Sequence, residues 1–192
     1  SFSEYSMRIL LEDFRYEDVE DMLSRACRRF ELSCEAGFGR LLYEATSGTG
    51  YLLQKICYRT LESAYVRKEA MGLTLKRAEA AIASILKEGE TNVEMVITQI
   101  ETNSQLVESL MRVLRIGSVS SKKFDPPLKT LLALGALTEQ NGFFRPRNRI
   151  YESIFQDYFT TERLADLYFS QQKYQRAREL FTIAVKQQAV AK

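Results

Sequence analysis

LKTLLALGALTEQNGFFRPRNRIYESIF, running from Leu128 to Phe155, is the stretch whose reading decides the fold. Leu128, Leu131, Leu132 and Leu134 give a short helix a dense apolar face, and Gly135 is placed to take the left-handed conformation that ends it. Ala136 to Thr138 opens a strand. Asn141-Gly142 is a pair that tolerates positive φ at both central positions of a hairpin turn, and Phe143-Phe144 begins the returning strand. Pro146 breaks that strand. Asn148 then stands where it can N-cap a helix carrying Ile150, Tyr151, Ile154 and Phe155 on one face.

Helix, glycine, strand, tight turn, strand and helix, in that order, read as the second half of a winged-helix domain. Working outward, residues 92–101 and 104–115 form two amphipathic helices with Val93, Val96, Ile97 and Ile100, then Leu106, Leu110, Val113 and Leu114, on their apolar faces. They complete a domain over 91–159. The polar stretch between Gly117 and Asp125 is longer than the link of a DNA-reading helix-turn-helix.

Charge is unevenly spread. Residues 1–50 carry 6 basic and 10 acidic groups (−4), 51–110 carry 7 and 8 (−1), 111–150 carry 8 and 2 (+6), and 151–192 carry 6 and 5 (+1), which sum to the net +2. The positive block comprises Arg112, Arg115, Lys122, Lys123, Lys129, Arg145, Arg147 and Arg149. Such a basic contact patch suits nucleic acid or an acidic protein surface, or simply a solvated face balancing the acidic N-terminal part.

Further toward the N-terminus, Met7 to Leu11 reads as a short strand ending in Glu12-Asp13, over residues 1–13. This superficially resembles the strand and acidic pair that hold magnesium in P-loop ATPases, but the chain has no GxxxxGK(S/T) loop to cradle phosphates. From Tyr16 the pattern is helical, with Val19, Met22, Leu23, Ala26, Cys27 and Phe30 as a buried stripe. Glu17, Asp18, Glu20 and Asp21 fall in its first turns, where they complement the helix dipole better than they form a metal or acid–base cluster. A second helix is expected near Ser33 to Thr46, with Phe38, Leu41, Leu42 and Ala45 inward. A third follows Gly50, through Leu52, Leu53, Ile56, Cys57, Thr60 and Leu61. Gly48-Thr49-Gly50 lets the two turn sharply. A fourth, around Thr74 to Lys87, ends at Gly89, so residues 14–90 form a small helical bundle.

After Phe159, residues 160–192 read as two antiparallel helices meeting near Gln171-Gln172. Leu164, Ala165, Tyr168, Tyr174, Ala177, Phe181 and Ala184 fall at the spacing of one tetratricopeptide repeat, with Gln172 where the tight-turn glycine is usual. One repeat cannot bury its own face, so either it docks on the preceding domain or further repeats cover it.

Composition narrows the chemistry. The 192 residues are 45% hydrophobic, enough for a substantial core, and contain no histidine, which excludes Ser-His-Asp triads, Cys-His dyads and His-containing zinc sites. Cys27, Cys34 and Cys57 are odd in number and lack CxxC spacing, which fits a reduced cytoplasm. No apolar run approaches a membrane span, and no signal-peptide pattern opens the chain. A soluble cytoplasmic protein is expected.

The order of parts also carries a resemblance. LEDF, YEDVEDML, TSGTGYLLQKIC and GALTEQNGFFRPRNRIYESIF together resemble the bacterial AAA-like ATPases of the STAND type, across roughly residues 7–158. The most specific part is Asn148, Arg149, Ile150, Tyr151 and Phe155. The resemblance implies a mainly α fold: a helical AAA-type lid bundle, then a winged-helix domain with a small β-hairpin, then the terminal helical hairpin. It implies that Gly48, Thr49, Gly50 and Tyr51 lie beside the nucleotide held by a separate α/β core, although glycine stands where that family has proline. The winged-helix histidine such proteins often use to sense diphosphate has no counterpart here. The implied function is a non-catalytic regulatory and assembly region, with no cofactor of its own and with ATP and magnesium bound by the intact protein. Its implied partners are its own nucleotide-binding domain and other subunits or signalling proteins. Two alternatives stand beside it: a winged-helix DNA-binding regulator reading through Lys129, Thr130 and the wing arginines, and a repeat-type protein-interaction module centred on residues 160–188.

Overall fold

The computed structural model of the chain describes residues 13–122 and 124–190, with side chains as far as Ala184. The strand expected at Met7 to Leu11, and Lys123, lie outside the described residues. The fold is mainly helical. It divides into two compact units, one ending at Ile82 and the other starting at Ala83, so the division falls inside a helix rather than at Gly89.

The first unit contains α1 (Tyr16–Phe30), β1 (Ser33–Cys34), α2 (Phe38–Thr46), α3 (Gly50–Val66), β2 (Gly72–Leu73) and the start of α4 (Leu75–Glu88). Val19, Leu23, Phe38, Leu42, Leu52, Leu53 and Ile56 are buried. Complete burial of each such side chain contributes about 1.5–3 kcal/mol. Phe30 corrects the expected stripe: it is 63% exposed, with the Arg29 guanidinium 5.5 Å from its ring centre. It is the last residue of α1, where Glu31 turns left-handed and the chain leaves the helix.

The second helix is shorter than the pattern suggested. It begins at Phe38, because Ser33 and Cys34 instead pair in parallel with Gly72 and Leu73. Glu35 closes this small sheet onto α4, its carboxylate accepting the Leu75 N–H at 2.9 Å. Arg77 secures the loop before β2, ion-paired with Glu69 at 2.5 Å and donating to the carbonyls of Ala70 and Gly72.

The second unit holds the rest of α4, then α5 (Thr91–Glu101), α6 (Ser104–Ile116), β3 (Val119–Ser120), α7 (Pro126–Ala133), β4 (Leu137–Gln140), β5 (Phe143–Pro146), α8 (Arg149–Tyr158), α9 (Thr161–Ser170) and α10 (Tyr174–Val190). The stretch read as a polar loop after Gly117 contains β3, which pairs with β5 and gives a three-stranded sheet in the order β3-β5-β4. β5 is therefore central, with Phe144 fully buried.

Caps and turns in the quoted stretch follow its residue types. Asp125 accepts the Leu128 N–H at the start of α7. At its end Gly135 takes φ +74°, while the Ala136 N–H reaches back to the Leu131 carbonyl and the Gly135 N–H to Leu132. That bond pair makes a Schellman stop. Asn141 and Gly142 both have positive φ, +52° and +78°, the requirement of a type I′ hairpin turn.

Candidate functional site

Three regions carry the residues singled out by sequence. In the first unit, α2 meets α3 through Ser47-Gly48-Thr49. The Thr46 hydroxyl donates to the Leu42 carbonyl at 2.8 Å and accepts the Gly48 N–H at 3.3 Å. Gly48 has φ +81°, and its carbonyl accepts the Phe14 N–H at 2.9 Å. Phe14 thus lies over the turn, and Gly48 and Thr49 are buried. Gly50 is half-buried, and Tyr51, half exposed, is the accessible side chain of the four. The Lys55 ammonium lies 5.5 Å from its ring centre.

In the second unit, the basic residues of the sheet region divide into two kinds. Lys129 is exposed but has partners within the unit: its ammonium is 3.2 Å from Glu139 and 5.0 Å from the centre of the buried Phe144 ring. Hydrogen bonds from Ser121 and Lys129 hold the Glu139 carboxyl below its usual range. Arg147 is half-buried, its N–H bonds the Ala136 carbonyl at 3.1 Å, and its guanidinium packs where a side chain on Gly135 would stand. Lys122, Arg145 and Arg149 are exposed. Thr130 faces solvent, but its hydroxyl bonds back to the Pro126 carbonyl.

The Asn148, Ile150, Tyr151 and Phe155 motif is inward-facing. Asn148 is 3% exposed and caps α8 by accepting the Tyr151 N–H at 2.9 Å. Ile150, Tyr151 and Phe155 are buried, and the last two meet edge to face with ring centres 6.0 Å apart. These residues build the module rather than its surface chemistry.

Of the repeat-like core, Leu164, Tyr168, Ala177 and Ala184 are buried. Tyr174 and Phe181 are not: they are 58% and 38% exposed. Phe181 lies on a side of α10 left partly open, and Tyr174, the first residue of α10, has no helical turn before it. Tyr174 instead meets Phe169 edge to face at 5.4 Å.

The hairpin docks on α5 and α6. Gln171 donates to the Glu101 carbonyl at 2.9 Å, and Tyr158 donates to the Glu101 carboxylate at 2.9 Å. Arg163 lies 3.5 Å from that carboxylate and 3.7 Å over the Tyr158 ring. Lys173 reaches Ser104 at 2.5 Å and Glu108 at 3.8 Å.

The chain matches no protein-family model, and no curated protein sequence matches it significantly.

Sequence reasoning missed two groupings. Cys27, Cys34 and Cys57, from α1, β1 and α3, lie near enough to perturb one another. Burial pushes the Cys34 thiol up to about 11 and Cys57 up to about 12, helped by the neighbouring sulfurs. Their separations of seven and twenty-three residues hide this, because β1 is what returns Cys34 to the helices. Among the described residues no group of three His, Cys, Asp or Glu side chains is placed to hold a metal ion. The second grouping was legible: Tyr51, Tyr58 and Tyr65 recur every seven residues on α3 and are 50%, 64% and 77% exposed. The α1 carboxylates are engaged singly, Asp18 by the Arg15 N–H, Glu20 by the Tyr16 hydroxyl and Asp21 by Arg25. Among the described residues no helix is long and apolar enough to cross a membrane.

Proposed function

We propose that this chain is the lid and winged-helix part of an AAA-like ATPase of the STAND type, acting as a regulatory and assembly region that does not itself hydrolyse nucleotide. The observation that carries this reading is the module from α5 to α8. Its sheet order β3-β5-β4, its Asn141-Gly142 turn and an α8 capped by Asn148 support a winged-helix reading of the module. The first unit takes the place of the lid, with Tyr51, the accessible side chain beside the α2–α3 turn, facing a nucleotide held by the α/β core of the intact protein. The terminal hairpin, held on α5 and α6 through Glu101 and Glu108, serves as a scaffold for signalling partners.

Two measurements test the proposal. The residues encoded before Ser1 are expected to include a GxxxxGK(S/T) loop within a parallel α/β pattern. Titration of the isolated chain with ATP and magnesium is expected to give no turnover, and micromolar binding accompanied by hydrolysis would refute the assignment of catalysis elsewhere.

A DNA-binding regulator is the second reading, favoured by the exposed Lys122, Arg145 and Arg149. Against it, α7 is rich in leucine and carries Lys129 and Thr130 as its only polar side chains, so few are there to read base edges. Duplex binding at physiological salt that falls steeply with added salt would favour this reading, and no binding at low salt would remove it.

A further inference from the structure

Helices α6, α9 and α10 of the second unit bound an open groove of about 740 Å³. Met111, Leu114, Leu164 and Leu180 give it an apolar lining. Three guanidinium groups, of Arg112, Arg115 and Arg176, share that lining with one carboxylate, Glu108. The acid is already matched, since Lys173 stands 3.8 Å from it.

The arginines retain donor capacity. Arg112 is paired with Asp125 at 2.5 Å through a terminal nitrogen, while its buried Nε has no partner. Arg176 meets Glu179 one turn along α10 at 3.1 Å, with both side chains more than half exposed, an arrangement of small energetic worth. Arg115 is exposed on the last turn of α6, with no ion pair among the described residues. Tyr168, whose phenol burial pushes up to about 12, keeps its proton across the physiological range.

We propose that this groove binds an amphipathic helical segment of a partner protein, with apolar side chains seated on the leucine and methionine lining and carboxylates meeting Arg115 and Arg176. Charge complementarity selects the acid, and dimensions select the helix. From Glu108 to Arg115 the α6 wall is about 10 Å long at 1.5 Å per residue, two turns of a docked helix with anchors at i, i+3 or i+4, and i+7. A phosphate backbone suits the site less well, because Glu108 interrupts the cationic rim and the apolar lining has nothing to offer phosphates. The inference stands apart from the ATPase reading and survives its failure.

The test is selection of peptides from a random phage-displayed library against the full 192-residue chain, followed by fluorescence anisotropy with the strongest peptide. Selected sequences are expected to place Asp or Glu beside Leu, Met or Phe at helical spacing. Arg115→Glu and Arg176→Glu, both exposed and therefore tolerant of replacement, are each expected to weaken binding about tenfold. A Glu→Lys version of the peptide should bind Arg115→Glu better than it binds the unaltered chain. Failure to select any peptide, selected peptides without acidic bias, charge reversals that change affinity less than about twofold, or displacement of the peptide by an oligonucleotide would each overturn the proposal.

Discussion

Replacing Gly48 with alanine attacks the α2–α3 turn at its one position where a side chain has no room. At φ +81° an L-residue other than glycine is strained, at a cost of about 1–2 kcal/mol. The added methyl would also fall on the Phe14 carbonyl oxygen and stand 2.8 Å from its carbonyl carbon. That is backbone, which cannot swing aside, so the segment at Phe14 must lift and lose its 2.9 Å bond to the Gly48 carbonyl, worth about 1 kcal/mol net. The sum is about 2–3 kcal/mol of the first unit's stability, or roughly thirty- to over a hundredfold in its opening equilibrium.

Gly50→Ala is the matched control. Its methyl would meet only the Phe14 ring, 3.0 Å away and free to rotate, and alanine is the better helix former, so the net change is expected to stay under about 1 kcal/mol. Because the chain has two units, a single global transition is a poor measure. Native-state hydrogen exchange resolves them: amides of α3 and of Phe14 lose protection in Gly48→Ala, while Leu131 and Phe155 in the second unit serve as internal standards. Equal protection in Gly48→Ala and the unaltered chain, or an equal loss in Gly50→Ala, would refute the reasoning.

Two further outcomes follow from strain and from titration. Gln172 holds φ +61° at the α9–α10 turn, with Lys173 N–H bonded to the Tyr168 carbonyl in a Schellman stop. Gln172→Gly is expected to stabilise the hairpin by about 0.5–1 kcal/mol, after the entropic cost of glycine is subtracted, read as greater hydrogen-exchange protection of α9 and α10 amides, and reduced protection would contradict the strain. Cys34 is exposed, yet desolvation first and the adjacent Cys27 second raise its thiol to about 11 from 9.0. At pH 8 its alkylation, followed by mass spectrometry, is expected to be about a hundredfold slower than that of an ordinary thiol, rising with pH until about 11. The raised value also means that the stabilisation from keeping this thiol neutral is complete below the unfolded-state pKa and is lost as pH climbs through the folded one. An alkylation rate that levels off near pH 9 would show that the thiol is not shielded.

Local signals were the ones that could be read directly. The helices with one clear apolar face, the Gly135 stop, the Asn141-Gly142 turn and the Asn148 cap each depend on residues within a few positions of one another. Two-residue strands escape such reading, since Ser33-Cys34 and Val119-Ser120 are strands only because Gly72-Leu73 and Phe143-Phe144 reach them from elsewhere in the chain. The candidate sites divide in the same way. Residue type marked the basic block, but only the fold set Lys129 beside Glu139 and the Phe144 ring and left Arg147 half-buried, while Lys129, Arg145 and Arg149 are exposed.

The amino-acid sequence by itself determined that the chain is mainly helical, where its sharpest turns fall, and that histidine-dependent chemistry is closed to it, because periodicity, φ preference and residue inventory are local properties. Only the tertiary structure decided which cations face solvent, that three cysteines share one neighbourhood, that the terminal hairpin settles on α5 and α6, and that three arginines open onto one apolar groove. Those outcomes depend on partners up to seventy residues distant, as in the bond from Gln171 to Glu101, and a pattern read along the chain contains no term for them.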